Sequence, residues 1–175
     1  VENTTTALQN LAKAYKNQFQ IETIGITGSN GKTIVKEWLN FLLSPDYAVV
    51  RSPKSFNSQV GVPLSVFGIN ENHTLGIFEA GISLKGEMQQ LAEIIQPNIG
   101  IFTHLGNAHQ EGFTTVEEKI IEKCQLFSKA EVLILEKNDW IEKHITIPTF
   151  SDIDFIQQYF FNLNQYYINI NLVKL

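Results

Sequence analysis

Apolar residues in this chain recur in two alternating rhythms. Ala7, Leu8, Leu11, Ala12 and Tyr15 share one helical face, so the spacing predicts a helix over residues 4–15, with the threonines ahead of it as caps. The apolar run Ile24 to Ile26 then reads as a strand, and Val35, Trp38, Leu39 and Leu42 restore the helical period until Ser44-Pro45-Asp46 stops it. Further along, strands are expected at 47–50, 74–78, 99–103 and 132–135, and helices at 62–69, 86–95 and 115–127. Residues 51–59 are polar and loop-like, 145–150 suit another strand, and the aromatic and asparagine-rich stretch 155–175 has no clean period beyond that of a hairpin or edge strand. This alternation predicts an α/β fold, a mostly parallel sheet with helices on both faces. In such sheets ligands bind beyond the carboxyl ends of the strands.

At that edge the first strand runs into Thr27-Gly28-Ser29-Asn30-Gly31-Lys32-Thr33. Small residues between a strand and a helix let backbone N–H groups wrap phosphate oxygens, the lysine meets the β- and γ-phosphates, and the threonine hydroxyl reaches Mg²⁺. The longer Walker spacing would need glycine where Ile26 stands, so the motif is the short form G-x-x-G-K-T. Taken alone, this string also suits an ordinary strand-to-helix turn.

Two other strand ends carry useful groups. Glu79 follows Leu75-Gly76-Ile77-Phe78; alone it would read equally well as a solvated surface group, but beside a phosphate loop it suits Mg²⁺, which takes one or two carboxylates plus phosphate and water. His109, in His104-Leu105-Gly106-Asn107-Ala108-His109, offers a second metal position, against the plainer reading of a loop histidine. Lys119 and Lys123 lie one turn apart among Glu117, Glu118 and Glu122, a pattern that by itself describes a solvated helix with charge pairs. Cys124 falls on the apolar stripe with Ile120 and Phe127 and reads as a core thiol.

Composition narrows the classes. The 175 residues suit one domain, 43% hydrophobic and 18% charged, and a net charge of −5 gives no reason to expect nucleic acid as a partner. One cysteine excludes an internal disulfide, and no apolar run reaches the roughly 18 residues that span a bilayer, so no membrane partner and a cytoplasmic location are expected.

Five blocks, TGSNGKT (27–33), FNSQVGVPLSV (56–66), FEAGIS (78–83), HLGNAHQEGF (104–113) and EKCQLF (122–127), together resemble the central, P-loop NTPase-like ATPase domain of the Mur ligases, most of all the MurF type. The resemblance spans about residues 20–136. It implies ATP and Mg²⁺ as cofactors, with residues 27–33, Asn57 and Asp139 around the nucleotide. It implies Thr33, Glu79, His109 and Lys123 around metal, and Lys32, Asn57, His109 and Lys123 as catalytic groups; Lys123 matches a lysine that many members carbamylate, against its bland reading above. The implied reaction joins D-Ala-D-Ala to UDP-MurNAc-tripeptide through an acyl phosphate. Residues 1–19 match a helix leading in from an N-terminal domain, 20–150 the central domain, and 151–175 an extension of it, so the chain is expected to be a fragment, inactive alone. Departures are His104 where asparagine is usual, Ser58 in place of an asparagine, and Glu136-Lys137-Asn138-Asp139 at the adenine side. Other expectations compatible with the residues are a different Mur-type or folylpolyglutamate-type ligase, or a non-catalytic nucleotide-binding module.

Overall fold

The computed structural model describes residues 1–104, 112–135, 141, 145 and 149–150. His109, Asp139 and the stretch 151–175 lie outside the described residues, as do residues 146–148 of the strand expected at 145–150. Along the chain run α1 (Thr4–Lys16), β1 (Glu22–Thr27), α2 (Lys32–Leu43), β2 (Val49–Arg51), α3 (Gly61–Val66), β3 (Leu75–Glu79), α4 (Glu87–Ile95), β4 (Ile99–Phe102), α5 (Val116–Cys124) with a 3-10 turn at Gln125–Phe127, β5 (Val132–Leu135) and β6 (Thr149–Phe150). All described strand pairs are parallel, in the order β2-β3-β1-β4-β5-β6. β1 is central: the chain leaves it for β2 and β3 on one side and returns to build β4 and β5 on the other. The strand order therefore reverses beside β1, which places a crevice at its carboxyl end.

Period-2 alternation splits the sheet cleanly. Val50, Phe78, Phe102, Leu133 and Leu135 join residues of α1, α3, α4 and α5 in one core, whereas Ile24, Ile26, Leu75 and Ile77 join Val35, Leu39 and Leu43 of α2 in the other. Helices do cover both faces, but among the described residues α2 is the single helix on its side. The four-helix side comes very close. A Cβ on Gly100 would sit 2.4 Å from Phe127 Cδ1, and one on Gly25 would sit 2.8 Å from Pro97 Cβ, so glycine at these strand positions lets the helical layer settle.

Two local expectations are corrected. Asn3, not a threonine, caps α1, its Oδ1 accepting from Thr6 N at 3.0 Å. In α2 the apolar positions do not all face inward: Trp38 is 67% exposed and Leu42 48%, while Lys36 is 0% exposed. The phase of this helix is set where the loop delivers it, because Thr33 and Lys36 both turn toward Glu79 on β3. A polar anchor has outcompeted two apolar side chains for the inward face.

Candidate functional site

The loop after β1 is built before any ligand is considered. Thr27 is fully buried and its hydroxyl donates to Ala80 O at 2.9 Å, which ties β1 to the chain leaving β3. Gly28 takes φ +146° and Gly31 +85°, conformations that favour glycine. Across the crevice, Thr103 Oγ1 donates to Asn30 O at 2.6 Å and to Thr27 O at 3.2 Å, and Ser29 N donates to His104 O at 3.0 Å. The loop is thus strapped to the end of β4. α2 starts at Lys32 behind an N-cap, Gly31, that has no side chain to accept from its first N–H groups, and this end of the helix lies at the crevice.

Two ammonium groups converge on this loop. Lys32 Nζ donates to Gly28 O at 2.9 Å and Lys123 Nζ to the same oxygen at 2.6 Å. Lys123 is buried, which contradicts its reading as part of a solvated charge-paired helix, and no carboxylate among the described residues pairs with it. Burial, and then the nearby charges of Lys32 and Lys119, push its pKa down to about 7. Burial also lowers the Lys32 pKa, opposed by Glu79 and reinforced by Lys119. Here positive charge is concentrated and half-desolvated, the setting in which an anion gains most. Glu122, beside Lys123, serves another purpose: its Oε1 accepts from Gly86 N at 2.8 Å and Met88 N at 3.0 Å and caps α4. Burial pushes the Cys124 thiol up to about 12, and Cys124 packs against the core as expected.

On the other side of the loop, Thr33 Oγ1 donates to Glu79 Oε2 at 3.0 Å. A hydroxyl and a carboxylate oxygen side by side are the hard oxygen donors that Mg²⁺ takes. Glu79 is fully buried, and its Oε1 has the Lys36 ammonium 3.0 Å away but no hydrogen bond of acceptable angle. Among the described residues no three His, Cys, Asp or Glu side chains converge, so a hard cation at Thr33 and Glu79 would complete its shell with phosphate and water oxygens. Thr33 Oγ1 also lies 3.3 Å from Ser55 Oγ, and Asn57 O accepts from Gly81 N at 2.7 Å. These contacts bring the 52–60 loop, and Asn57 with it, to the edge where Thr33 and Glu79 meet. Gln9 fixes the far end of that loop, donating to Gln59 Oε1 at 2.8 Å.

A cavity of about 580 Å³ opens beside the loop, lined by Asn30, Gly31, Val35, Ile101, Thr103 and Ile134 among others. It has a polar end at the loop and an apolar floor on the α2 side of β4 and β5.

Residues 26–168 match the Mur ligase middle domain family. The chain belongs to the Mur ligases. It is 42% identical over 130 residues to the UDP-N-acetylmuramoyl-tripeptide--D-alanyl-D-alanine ligase of Treponema pallidum, covering 74% of this chain and 28% of that protein. The enzyme of the same name from Bacillus subtilis is 39% identical over 111 residues, 63% of this chain and 24% of that protein. Among solved structures, MurF from Acinetobacter baumannii superposes with a TM-score of 0.78 at 25% identity, over 85% of this chain and 35% of that one. MurF ligase from Thermotoga maritima in complex with ADP gives 0.77 at 27% identity, over 85% and 36%. This Mur ligase chain therefore spans about a quarter of the length of those curated relatives.

Of the residues expected at the site, the structure gathers Gly28, Ser29, Asn30, Gly31, Lys32, Thr33, Glu79 and Lys123 around one loop, with Thr27 buried beneath it. Lys36, Ser52 and Ser55 went unforeseen. Ser52 is buried and its Oγ accepts from Glu79 N at 3.1 Å, which fixes the backbone from which the carboxylate projects. A lysine at i+4 from Lys32 was a readable signal for Lys36, since it falls on the same helix face as the loop lysine.

Proposed function

We propose that this chain is the nucleotide-binding part of a MurF-type ligase, an enzyme that uses ATP to join D-Ala-D-Ala to UDP-MurNAc-tripeptide through an acyl phosphate. The observation that carries the proposal is the Thr33 hydroxyl held 3.0 Å from the Glu79 carboxylate at the exit of a loop on which Lys32 and Lys123 converge. The loop N–H groups and Lys32 bind the polyphosphate, and the adjoining cavity takes the adenosine. Thr33 and Glu79 hold Mg²⁺, which when bound neutralises phosphate charge. Phosphoryl transfer to a carboxylate brings anions together, so positive charge fixed beforehand lowers the barrier by electrostatic stabilisation. Asn57 reaches the γ-phosphate side from its loop. His109 and a carbamylated Lys123 supply the second metal position; the carbamate forms when the neutral Lys123 amine adds to CO₂ with loss of one proton. Asp139 serves the adenine side, and the work takes place in the cytoplasm.

The domain reading accompanies this: residues 1–19 form the lead-in helix and 20–150 the ATPase unit, with 151–175 continuing it. The 175 residues then bind Mg-ATP without ligating, and ligation needs the remaining length found in the relatives. Titration of the chain with a fluorescent ATP analogue, with and without Mg²⁺, tests the first part. Lys32→Ala is expected to weaken binding by at least about tenfold, the loss of one charge-assisted contact. Unchanged affinity in that variant sinks the nucleotide reading. Ligation of D-Ala-D-Ala by the 175 residues alone sinks the domain reading.

A further inference from the structure

Lys36 takes no part in the proposed chemistry, yet its side chain is 0% exposed and stands against the buried Glu79 carboxylate. A buried ammonium is tolerated only when paired, and Lys36 has three oxygens around it: Glu79 Oε1 at 3.0 Å and Glu37 Oε1 at 3.1 Å as ion pairs, and the Lys54 carbonyl as hydrogen-bond acceptor. Those contacts join the helix after the phosphate loop, the strand that carries Glu79 and the 52–60 loop. They also divide Glu79. Oε1 faces the Lys36 ammonium, whereas Oε2 faces the Thr33 hydroxyl.

We propose that Lys36 is a positioning residue that leaves Glu79 a single oxygen for metal, and so sets a preference for Mg²⁺ over Ca²⁺ at the Thr33–Glu79 pair. The inference rests on reading that pair as a metal site. Mg²⁺ accepts one oxygen from a carboxylate and keeps its octahedron with water and phosphate; Ca²⁺ prefers more ligands and readily takes both oxygens of one carboxylate. For Glu79 to offer both, the ion would have to approach Oε1, where the Lys36 ammonium already stands and repels it. Ser52 accepts from Glu79 N and anchors the backbone from which the carboxylate projects, while Thr33 and Lys36 hold its two oxygens. A purely structural ion pair would account for the burial of both residues, but it makes no demand on which divalent ion the site accepts.

Ion choice therefore decides the matter. The full chain is titrated with a fluorescent ATP analogue at rising Mg²⁺ or Ca²⁺, and the ratio of the half-saturating concentrations is compared between wild type and Lys36→Gln, with thermal melts to verify folding. The expected result is a fall of about tenfold in the Mg²⁺-over-Ca²⁺ preference, driven by better support from Ca²⁺, in keeping with the size of effects from residues that orient metal ligands. A folded Lys36→Gln with the wild-type ratio overturns the proposal. Should Lys36→Gln not fold, Lys36→Arg decides: its forked guanidinium engages both carboxylate oxygens and is expected to suppress the Mg²⁺ response by about tenfold or more. Wild-type behaviour in Lys36→Arg would show that charge alone suffices and overturns the proposal equally. Wild-type nucleotide binding that ignores both ions is a different failure, that of the metal reading itself.

Discussion

Replacing Gly28 by alanine tests the loop where it is most tightly built. Its φ of +146° is a conformation that strains an L side chain, at a cost of about 1–3 kcal/mol. The new Cβ would lie 2.0 Å from Thr103 Oγ1, 3.0 Å from Thr103 Cβ and 3.1 Å from its carbonyl carbon. Rotating the Thr103 hydroxyl away relieves only the first contact, and it breaks the bonds to Asn30 O at 2.6 Å and Thr27 O at 3.2 Å. At about 0.5–1.5 kcal/mol each, those losses bring the total to about 2–6 kcal/mol. The other two contacts survive any rotation, so the end of β4 must also move and take His104 O away from Ser29 N. Chemical denaturation reads the stability, and titration with a fluorescent ATP analogue reads the loop's shape; both are expected to fall. Adding Thr103→Ala to Gly28→Ala should recover part of the loss, because the hydroxyl clash goes while the contacts at Cβ and the backbone remain. Stability unchanged within about 0.5 kcal/mol in Gly28→Ala, or full recovery in the double variant, would refute this account of the loop.

Glu122 and Lys123 make two further tests on adjacent residues. Glu122→Ala uncovers the Gly86 and Met88 N–H groups at the start of α4 and should cost about 2–4 kcal/mol by chemical denaturation, with Glu122→Gln losing less because a neutral amide oxygen still accepts. A loss below about 0.5 kcal/mol in the alanine variant would mean water caps that helix equally well. Lys123 has a folded pKa of about 7 against an ordinary 10.5, so between those values the unfolded chain holds a proton that the folded chain has released. In bicarbonate-free buffer, stability contributed through this group therefore rises from about pH 7 towards pH 10 and is flat below pH 7. Lys123→Met should flatten the rise, and a variant whose pH profile matches wild type would show that Lys123 is not the source.

The sheet and the glycine-rich loop after β1 were legible because both are written locally. Strands and helices alternate with their own periods, and Gly28 to Thr33 is a contiguous run that needs no distant residue to be noticed. Glu79 could be placed at the right edge because a strand fixes where its last residue emerges. The inward face of α2 was not legible from its apolar spacing. Counting apolar residues favours Trp38 and Leu42, yet those two are exposed and Lys36 is buried, and the reason lies on a strand 43 positions away in the carboxylate of Glu79. Lys123 was misjudged by its helix for the same reason: its neighbours in sequence are glutamates, but its partner is Gly28 O, 95 positions distant.

Net charge shows the same separation between global and local. A chain of −5 gives no overall attraction for an anionic ligand, and nothing in that figure points to a polyphosphate. Yet Lys32, Lys36 and Lys123 gather around the loop and β3, and the described carboxylates near them, Glu79 and Glu37, are both engaged by Lys36. Glu79 is only partly committed by that pair, since its second oxygen faces Thr33. The other two lysines are held by a carbonyl oxygen, which offers a dipole and no charge. A negative charge entering beside Gly28 would thus meet the Lys32 ammonium and, where it is protonated, that of Lys123, while the Glu79 carboxylate lies on the other side of Thr33. The loop thus has lysine ammonium groups on one side and a carboxylate on the other, a division of charge that an ordinary strand-to-helix turn does not need.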